Sequence, residues 1–408
     1  MIYAAILGHG VVGSGAAEIL EESRAQIGEK IKDELVIKYI LDLRDFPDTP
    51  YHEKFTKDFS KIVQDPEVRI VAEAMGGLNP AYDFVKQCLL AGKSVVTSNK
   101  ELVAAKGCEL LAIAQEKNVN FLFEASVGGG IPILRPMAQC LSANNITDII
   151  GILNGTTNYI LNKMVTENMS FEDALKLAQE KGFAEKNPAA DIEGHDACRK
   201  ICILAALGFG KHVYPEQVKT EGITEVTADD VEAAENFNCV IKLIARAKKN
   251  ADGTISAYVR PTVMLRDHIL SNVNGVNNAI MVIGDRTGPV MFYGKGAGKF
   301  PTASAVVADM MDCAKHLSAR KYLSWDEGHE GYVTESDEPT QLYVTAHSDD
   351  VEKLCEEIRA AYPPELWYIK NRVNGTVTFI TPYQRESELL AQIHRFPADH
   401  FKIFHTLF

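Results

Sequence analysis

The densest group of reactive side chains lies between residues 181 and 200. Two acids, Glu185 and Asp191, precede a helical stretch in which Asp196 and Lys200 stand four residues apart and so share one helix face. Such a pair is most often a salt bridge on a helix surface. Here the surrounding residues are mostly apolar, which predicts a largely buried helix whose charged pair faces a cleft. A lysine beside a carboxylate in a cleft is suited to proton transfer.

A glycine-rich turn near the N-terminus is the second candidate site. The apolar run 4–7 leads into Gly8, Gly10 and Gly13, an arrangement of the GxGxxG type, and a helical pattern follows. Glycines let the backbone turn tightly and approach a pyrophosphate at the helix N-terminus, where amide groups and the helix dipole favour negative charge. The position between a strand and a helix favours a dinucleotide site over a turn without a ligand. The cofactor contacts that we expect from this turn include the backbone of Val11 and Val12.

The sequence leaves the choice between NAD and NADP open. Asp42 ends the second predicted strand and could accept hydrogen bonds from the ribose 2′-hydroxyl of NAD. Arg44, two residues later, could instead pair with the 2′-phosphate of NADP. Either charge could also be an ordinary solvated side chain.

A third candidate, Lys100, stands where a predicted strand ends and a helix begins. Ligands of open α/β sheets bind at these carboxyl ends of the strands. A lysine considered alone is usually a solvated surface cation. Its place in the chain nevertheless predicts that Lys100 reaches both the substrate and the nicotinamide.

The elements that position these residues follow a βαβ alternation in the first 125 residues, which predicts a parallel sheet with helices on both faces. The expected strands are 4–7, 36–41, 70–74, 94–97 and 120–124. The pattern then changes to a mixed α+β domain. We expect a strand at 146–153, helices at 171–181, 194–208 and 228–247, and strands within 256–265 and 279–293.

The stretch 293–302 opens another helix, which we expect to return to the first domain. The predicted fold class is therefore α/β, with a Rossmann-type dinucleotide-binding domain and a second α+β catalytic and dimerisation domain. We place the first domain at 1–127 plus 296–325 and the second at 128–295.

The tail, residues 335–408, has its own βαββαβ order, typical of a small ferredoxin-like module. It reads as a strand at 341–346, a helix at 351–361, a hairpin of 366–371 and 373–381, a helix at 386–393 and a strand at 401–407. Asn374-Gly375 predicts a type I′ turn in the hairpin. The acidic segment 334–338 is the clearest linker.

Composition excludes several classes of function. The chain has 408 residues and a formal net charge of -13, which argues against nucleic acid and against anionic membrane surfaces as partners. No apolar run approaches the roughly 20 residues of a membrane span, and the first residues lack a basic, cleavable leader. We therefore expect a cytosolic protein. Cys198 and Cys202 lie near His195 and could suggest a soft-metal site, although small apolar residues on a buried helix face are the better interpretation.

Several segments together resemble the homoserine dehydrogenases over nearly the whole chain. Besides the glycine turn they are 73–77, 97–100, 124–132, 151–161, 182–200 and 296–304. The resemblance implies NAD(P)-dependent interconversion of L-homoserine and L-aspartate 4-semialdehyde, in the pathway to threonine, methionine and isoleucine. It also implies a homodimer, or a higher homo-oligomer, in which subunits pair through the second domain.

The resemblance implies a role for each matching residue. Lys200 matches the catalytic lysine and Asp196 the substrate-binding aspartate beside it. Glu185 matches the acid that holds the homoserine amino group, and Asp191 a further acid of the site. Lys100 matches the catalytic-site lysine that borders cofactor and substrate. Further matches are Thr157 for the substrate and Arg44, Thr97, Gly182 and Gly296 for the cofactor.

The resemblance also implies a monovalent-cation loop for sodium or potassium. Its oxygen ligands would be the carboxylate of Glu124 and the backbone carbonyls of Val127, Gly129 and Ile131. From the residues alone, a plain glycine-rich bend is the better interpretation of this segment.

Two features depart from the family pattern. His195 stands where an apolar or tyrosyl residue is expected. The tail has the element order of an ACT regulatory domain, but 347–350 replaces the Pro-Gly turn that usually follows the first strand. Feedback by threonine is therefore not expected.

Two other functions compete with this interpretation. A related Rossmann oxidoreductase for another small amino acid or semialdehyde would not need the acids and the lysine of 182–200 together. A nicotinamide-sensing regulatory protein, with the tail as its output, could lose Lys100 and Lys200, yet both are present.

Overall fold

We describe a computed structural model of the chain over residues 1–318, 323–335, 337–362, 370–373 and 375–408. The first domain is built on six parallel strands, β1 (Ile2–Leu7), β2 (Leu35–Leu41), β3 (Phe55–Thr56), β4 (Val68–Glu73), β5 (Ser94–Thr97) and β6 (Phe121–Leu122). Its helices are α1 (Val11–Glu22), α2 (Arg24–Ile31), α3 (Ser60–Gln64), α4 (Ala81–Leu90) and α5 (Lys100–Glu116). The strand order β3-β2-β1-β4-β5-β6 is the dinucleotide-binding order, as the sequence predicts.

The last strand of this sheet is shorter than the predicted 120–124. The chain leaves β6 after Leu122 and forms a 3₁₀ turn over Glu124–Ser126. The reason is that the backbone N–H and the carboxylate of Glu124 are both used elsewhere. Its N–H donates to Asp309 (2.8 Å), and its carboxylate accepts from backbone N–H groups of the segment 133–135.

The second domain contributes strands β7 (Ile146–Ile152), β8 (Lys219–Thr220), β9 (Cys239–Lys249), β10 (Ile255–Leu265), β11 (Asn277–Gly284) and β12 (Gly288–Lys295). Its helices are α6 (Gly155–Glu167), α7 (Phe171–Glu180), α8 (Ala189–Ile192), α9 (His195–Phe209) and α10 (Ala228–Asn236). The order β12-β11-β7-β9-β10 is antiparallel throughout, and β8 pairs in parallel with β10.

The predicted helix 228–247 is wrong in its second half. Helix α10 ends at Asn236, Asn238 adopts a left-handed φ of 57°, and the chain then continues as β9. Strand β9 lies between β7 and β10 and is buried on both faces over most of its length. A strand buried on both faces lacks polar alternation, so its apolar run cannot be told from a buried helix. The region 279–293, where strands are predicted, forms the hairpin of β11 and β12.

Helix α11 (Lys299–Lys315) carries the chain back to the first domain, where it packs against α1, β4 and β5. The approach of α1 and α11 is close. A Cβ at Gly15 would lie 3.0 Å from the Cβ of Ala303, which explains why glycine stands at this position of α1. The segment before α11 thus crosses from the second domain to the first.

The tail comprises β13 (Pro339–Thr340), β14 (Leu342–His347), α12 (Val351–Ala361), β15 (Lys370–Val373), β16 (Thr376–Ile380), β17 (Gln384–Arg385), α13 (Glu386–Ile393) and β18 (His400–Leu407). The order β18-β14-β16-β15 is antiparallel. The predicted turn residue Asn374 and the first predicted hairpin strand up to residue 369 lie outside the described residues, as does Ser336 of the predicted linker.

The tail is not the separate sheet that its module-like sequence suggests. Strand β18 pairs in parallel with β10 through Thr262–His405, Val263–Thr406 and Met264–Leu407, so that the second domain and the tail share one continuous sheet. Within the ranges described here, no helix is both long and apolar enough to cross a membrane.

Candidate active site

A cleft of about 860 Å³ lies between the first and second domains. One wall is the start of α1 together with Lys100 at the start of α5. The opposite wall carries the loops before α6 and α8 and the buried face of α9. The crossing segment 295–302 closes one end. The cleft therefore brings together the reactive residues that the sequence places in separate domains.

A chain of three charged side chains crosses the cleft. The Asp196 carboxylate receives the Lys200 ammonium on one oxygen (2.7 Å) and the Lys100 ammonium on the other (2.5 Å). Asp196 and Lys200 are almost fully buried on α9, whereas Lys100 belongs to the other domain and is partly open. Lys200 also donates to the backbone carbonyl of Leu153 (2.8 Å). The two lysines are thus held near one another by a shared acid.

This arrangement moves the pKa values of the three groups in different directions. Burial lowers the pKa of Lys200, and the cationic Lys100 adds to this effect, although Asp196 opposes it. Burial also disfavours the charged form of Lys100, but Asp196 outweighs it and the pKa of Lys100 is raised. Burial alone would raise the pKa of Asp196, yet the two ammonium groups hold it well below its usual range. Lys200 is therefore the lysine prepared to lose a proton.

Asn154 completes the site, and sequence reasoning did not assign it a role. Its side-chain amide donates to Asp191 (2.7 Å) and to Asp196 (2.9 Å), which fixes two acids relative to each other. Its carbonyl oxygen accepts the Thr157 N–H (2.8 Å) and caps α6. The run Asn154-Gly155-Thr156-Thr157-Asn158 was noticed only as part of a family resemblance.

Thr157, predicted to contact the substrate, lies behind Asn154. Its side chain is buried, and its hydroxyl lies within hydrogen-bond distance of the backbone carbonyl (3.2 Å) and the side-chain oxygen (3.0 Å) of Asn154. The neighbouring Thr156 lines the cleft instead. The prediction of direct contact is therefore wrong for the Thr157 side chain, because its hydroxyl is used to orient Asn154.

The two predicted amino-binding acids lie on the same wall of the cleft. Burial, followed by the nearby charge of Asp196, raises the pKa of Asp191. Glu185 is exposed and follows a turn at Gly182, which has a φ of 73° and open space around it. A cation bound beside Asp191 would offset the burial and the Asp196 charge that raise its pKa.

The cofactor side of the cleft is formed mainly by backbone atoms of the glycine turn and of the start of α1. Gly8 has a φ of 94°, and a Cβ on Gly13 would lie 1.9 Å from the Gly8 carbonyl oxygen, so neither position accepts a side chain. Gly10 caps α1 without a side-chain hydrogen bond and has nothing within 4 Å of its Cβ position. A dinucleotide fits this cradle because the first amides of α1 are open to a pyrophosphate. Val11 and Val12 line the cleft from the first turn of α1.

A pocket of about 500 Å³ continues from this turn, with Asp42, Arg44 and Lys57 in its lining. Asp42 and Arg44 bind each other, although in the sequence one favours NAD and the other NADP. The Arg44 guanidinium donates to both Asp42 oxygens (3.0 Å each), and the His9 N–H adds a third donor (2.8 Å). Arg44 lowers the pKa of Asp42 far below its usual range. The acid is thus occupied, while Arg44 remains 64% exposed.

Two further predicted cofactor residues have structural partners. The Thr97 side chain is buried and bonds Glu73 (2.5 Å) and the Asn99 N–H (2.9 Å), so the neighbouring Ser98 lines the cleft in its place. The expected contact is therefore not made by the Thr97 side chain. Gly296 does line the cleft, and it must be glycine because a Cβ would lie 2.1 Å from the Asn278 amide nitrogen.

The predicted cation loop fits only in part. Both oxygens of the Glu124 carboxylate accept backbone N–H groups, from Ile133 (2.6 Å), Leu134 (2.8 Å) and Arg135 (2.8 Å). This carboxylate therefore holds the loop from behind. The other three predicted ligands, Val127, Gly129 and Ile131, offer backbone oxygens in a loop whose Gly130 N–H donates to the Lys295 carbonyl (3.1 Å).

The remaining unusual residues of this region lie outside the cleft. His195 is exposed beside Glu193 (3.2 Å), and Cys198 and Cys202 are buried free thiols. Across the described ranges, no group of three or more His, Cys, Asp or Glu side chains has the arrangement of a metal site.

Comparisons with known families agree with this geometry. A family model for homoserine dehydrogenase matches residues 132–311, and a model for the homoserine dehydrogenase NAD binding domain matches residues 8–124. The homoserine dehydrogenase of Synechocystis sp. is 46% identical over 312 residues, which cover 75% of this chain and 72% of that protein. The Bacillus subtilis homoserine dehydrogenase is 41% identical over 318 residues, covering 76% and 72%.

Solved structures extend the likeness to the tail. A homoserine dehydrogenase from Thiobacillus denitrificans superposes with a TM-score of 0.89 and 34% identity, covering 100% of this chain and 98% of the other. A hyperthermophilic archaeal homoserine dehydrogenase in complex with NADPH gives a TM-score of 0.65 at 30% identity, covering 76% of this chain and 97% of the other.

Proposed function

We propose a working mechanism from the premise that this chain belongs to the homoserine dehydrogenase family. It is an oxidoreductase that interconverts L-homoserine and L-aspartate 4-semialdehyde with a nicotinamide dinucleotide, a reaction that leads toward threonine, methionine and isoleucine. The observation that carries the mechanism is the Lys100–Asp196–Lys200 chain across the cleft.

The substrate is held by its ammonium group. Glu185 and Asp191 lie on one wall of the cleft, and an ammonium between them pairs with opposite charge. Asn154 keeps Asp191 at a fixed distance from Asp196 and so relates the amino group to the reacting hydroxyl. Binding through both acids selects a small amino acid over an uncharged alcohol.

Lys200 takes the proton of the substrate hydroxyl, directly or through a water held between Lys200 and Lys100. When bound, the nicotinamide would accept a hydride from the carbon that bears this hydroxyl. Lys200 must be neutral for this step, and its burial beside cationic Lys100 lowers its pKa accordingly. Asp196 orients both lysines. In the reverse direction Lys200 returns the proton to the alkoxide.

We infer that NADP is the preferred cofactor. Arg44 is exposed at the mouth of the nucleotide pocket, where its guanidinium is fixed by Asp42 and can bind a 2′-phosphate. Lys57 lines the same pocket and adds positive charge. Asp42 accepts from both Arg44 and the His9 N–H, which leaves it poorly placed to accept from the 2′-hydroxyl of NAD.

We also propose that the loop 127–131 binds sodium or potassium through the backbone oxygens of Val127, Gly129 and Ile131. These backbone groups suit a hard monovalent cation, and Glu124 stabilises the loop without being a ligand. Replacing potassium and sodium salts with choline chloride at constant ionic strength should lower the affinity for the cofactor. An unchanged affinity would remove the cation from the account.

For the assembly we propose a homodimer paired through the second domain, and for the tail an ACT-like module without threonine feedback. The strand order of the tail is consistent with an ACT-like fold, whereas the expected absence of threonine feedback comes from the segment 347–350. Light scattering of the purified chain tests the first, and activity with added threonine tests the second. A monomer, or inhibition by threonine, would contradict the corresponding proposal.

The reaction itself is tested by nicotinamide absorbance with homoserine and either NAD or NADP. We expect reduction with homoserine but not with serine or threonine, and a faster rate with NADP. Activity with serine at a similar rate would contradict the fixed distance between the amino group and the reacting hydroxyl that Asn154 sets.

A further inference from the structure

A second polar cavity, of about 220 Å³, lies where the second domain meets the tail. We call it the junction pocket and define it by Lys219 of β8, Tyr258 and Arg260 of β10, Glu335 of the connecting segment, and Glu386 and Thr406 of the tail. Strands β10 and β18, which pair in parallel, each contribute lining residues. It shares no lining residue with the active-site cleft.

Several charged side chains around the junction pocket already have polar partners. Arg246 binds Asp148 through two nitrogens, and Lys248 pairs with Glu338. Glu386 of the tail is held by His405 (2.8 Å). These pairs account for two of the four basic residues and two of the three acids that line the cavity.

Arg260 is different. Its guanidinium stacks on the Tyr258 ring at 3.8 Å, which fixes its position. Among the described residues no acid forms a salt bridge with it, although its charge, after that of His405, helps to lower the pKa of Glu386 against the effect of burial. The Arg260 Nε is buried and has no hydrogen-bond partner in the described part of the chain. A buried donor without a partner is costly, and a fixed guanidinium presents a planar fork of donors that matches a carboxylate.

We propose that the junction pocket binds a small carboxylate, with Arg260 as its main anchor and Lys219 as a second positive charge at the rim. The volume admits a molecule the size of malonate and excludes a nucleotide. Thr406 and Thr340 line the same cavity, but their hydroxyls donate to the Gln341 carbonyl (2.8 and 3.3 Å), so the second end of the ligand is held by Lys219. The bound carboxylate contacts the tail and the second domain at once.

The pocket is connected to the substrate side of the active site by a short path. Lys219 and Thr220 pair with Tyr258 and Val259, and the Glu221 N–H donates to the Val259 carbonyl (2.7 Å). The Ile223 N–H then donates to the Ile192 carbonyl (2.8 Å).

The same segment supports the start of the catalytic helix. A Cβ on Gly194 would lie 3.0 Å from the Thr220 side chain, and one on Gly222 would lie 2.1 Å from the Ile192 carbonyl oxygen. The segment 219–223 therefore contacts both the junction pocket and the turn between Asp191 and Asp196. A ligand that shifts β8 changes the affinity for the substrate, not the affinity for the cofactor.

Binding to the full chain is measured by isothermal titration calorimetry with sodium malonate and with inorganic phosphate, at constant ionic strength. The variants are Arg260→Gln and Arg260→Lys. The matched control is Arg266→Gln, because Arg266 lies just beyond the same strand but pairs with Glu235 outside the pocket. This readout needs no turnover, so its failure is separate from a failure of the dehydrogenase reaction.

We expect malonate to bind the wild type and the Arg266→Gln control alike, to bind Arg260→Gln at least about tenfold more weakly, and to be partly restored by Arg260→Lys. Saturating malonate should change the KM for homoserine and leave the KM for the nicotinamide cofactor unchanged. Malonate affinity that Arg260→Gln leaves intact would overturn the site, and phosphate binding without malonate binding would overturn the ligand class. Malonate binding with an unchanged KM for homoserine would overturn the connection to the active site.

Discussion

The two sides of the cleft are built by opposite means. On the cofactor side, Gly8, Gly10 and Gly13 leave space, and the ligand is met by backbone amides of α1. On the substrate side, Asp196 and Lys200 are buried charges whose positions depend on contacts from other elements. A site that depends on unfilled space is disrupted when a substitution adds an atom. A site that depends on buried charges is disrupted when a substitution removes one of the paired groups.

The largest effect is expected from removing the buried base. Lys200→Met should lower kcat by about 10³-fold, within the range for losing a general acid–base group, because no other neutral amine lies at the reacting hydroxyl. Cofactor affinity, measured by fluorescence titration, should change less than about threefold, or ~0.7 kcal/mol. The exposed Lys176→Met is the control. Equal losses in kcat and in cofactor affinity would mean that Lys200 supports the fold of the cleft instead.

The complementary test adds an atom to the cofactor side. Gly13→Ala places a Cβ against the Gly8 carbonyl oxygen, and overpacking of this kind costs about 1–3 kcal/mol of folding stability. The melting temperature should therefore fall, and the displaced turn should bind the cofactor more weakly. Gly10→Ala, in the same turn, meets no neighbouring atom and should leave the melting temperature unchanged. If Gly10→Ala and Gly13→Ala lower the melting temperature equally, the turn is not shaped by this contact.

A smaller effect is expected at the rim of the nucleotide pocket. Arg44→Ala removes one charge-assisted contact of about 1.5 kcal/mol, which should raise the KM for NADP about tenfold. The KM for NAD should change less, since Asp42 is then free to accept from a ribose hydroxyl. Arg69→Ala, an exposed arginine of β4, serves as the control. A parallel loss with both cofactors would refute the preference for NADP.

The smallest catalytic effect is expected from Lys242, a buried lysine of β9 outside the cleft. It donates to Val273 (2.7 Å) and Asn158 (3.0 Å), and burial lowers its pKa to about 8. Because the folded pKa lies below the unfolded one, stability from this group rises with pH between about 8 and about 10.5.

Thermal unfolding of Lys242→Met against the wild type checks this. The variant should keep its kcat within about a factor of two, or ~0.4 kcal/mol. The increase in melting temperature that Lys242 gives the wild type between pH 8 and pH 10 should be absent from the variant. The same gain in both proteins would show that Lys242 is charged throughout this range.

The sequence predicts the cofactor side better than the substrate side, and the reason is physical. A glycine turn between a strand and a helix is local, so Gly8, Gly10 and Gly13 could be placed from their spacing alone. The Asp196–Lys200 pair was also local, at i and i+4 on α9.

The remaining features depend on contacts between distant segments. Asn154 binds two acids 37 and 42 residues away, which no spacing reveals. The Glu124 carboxylate is bound by amides 9 to 11 residues further along the chain. The sequence predicts helix where β9 lies, because a strand buried on both faces lacks polar alternation. Nothing in the spacing of Asp42 and Arg44 reveals that they pair with each other.

The central claim is that Lys200 is the proton acceptor and that Lys100 lowers its pKa. The most direct test is the pH dependence of kcat/KM for homoserine oxidation in the wild type and in Lys100→Met. The rate should rise with pH as Lys200 loses its proton, and removing the Lys100 charge should raise the Lys200 pKa and move this rise to higher pH. A rise that stays at the same pH, or moves to lower pH, would contradict the account.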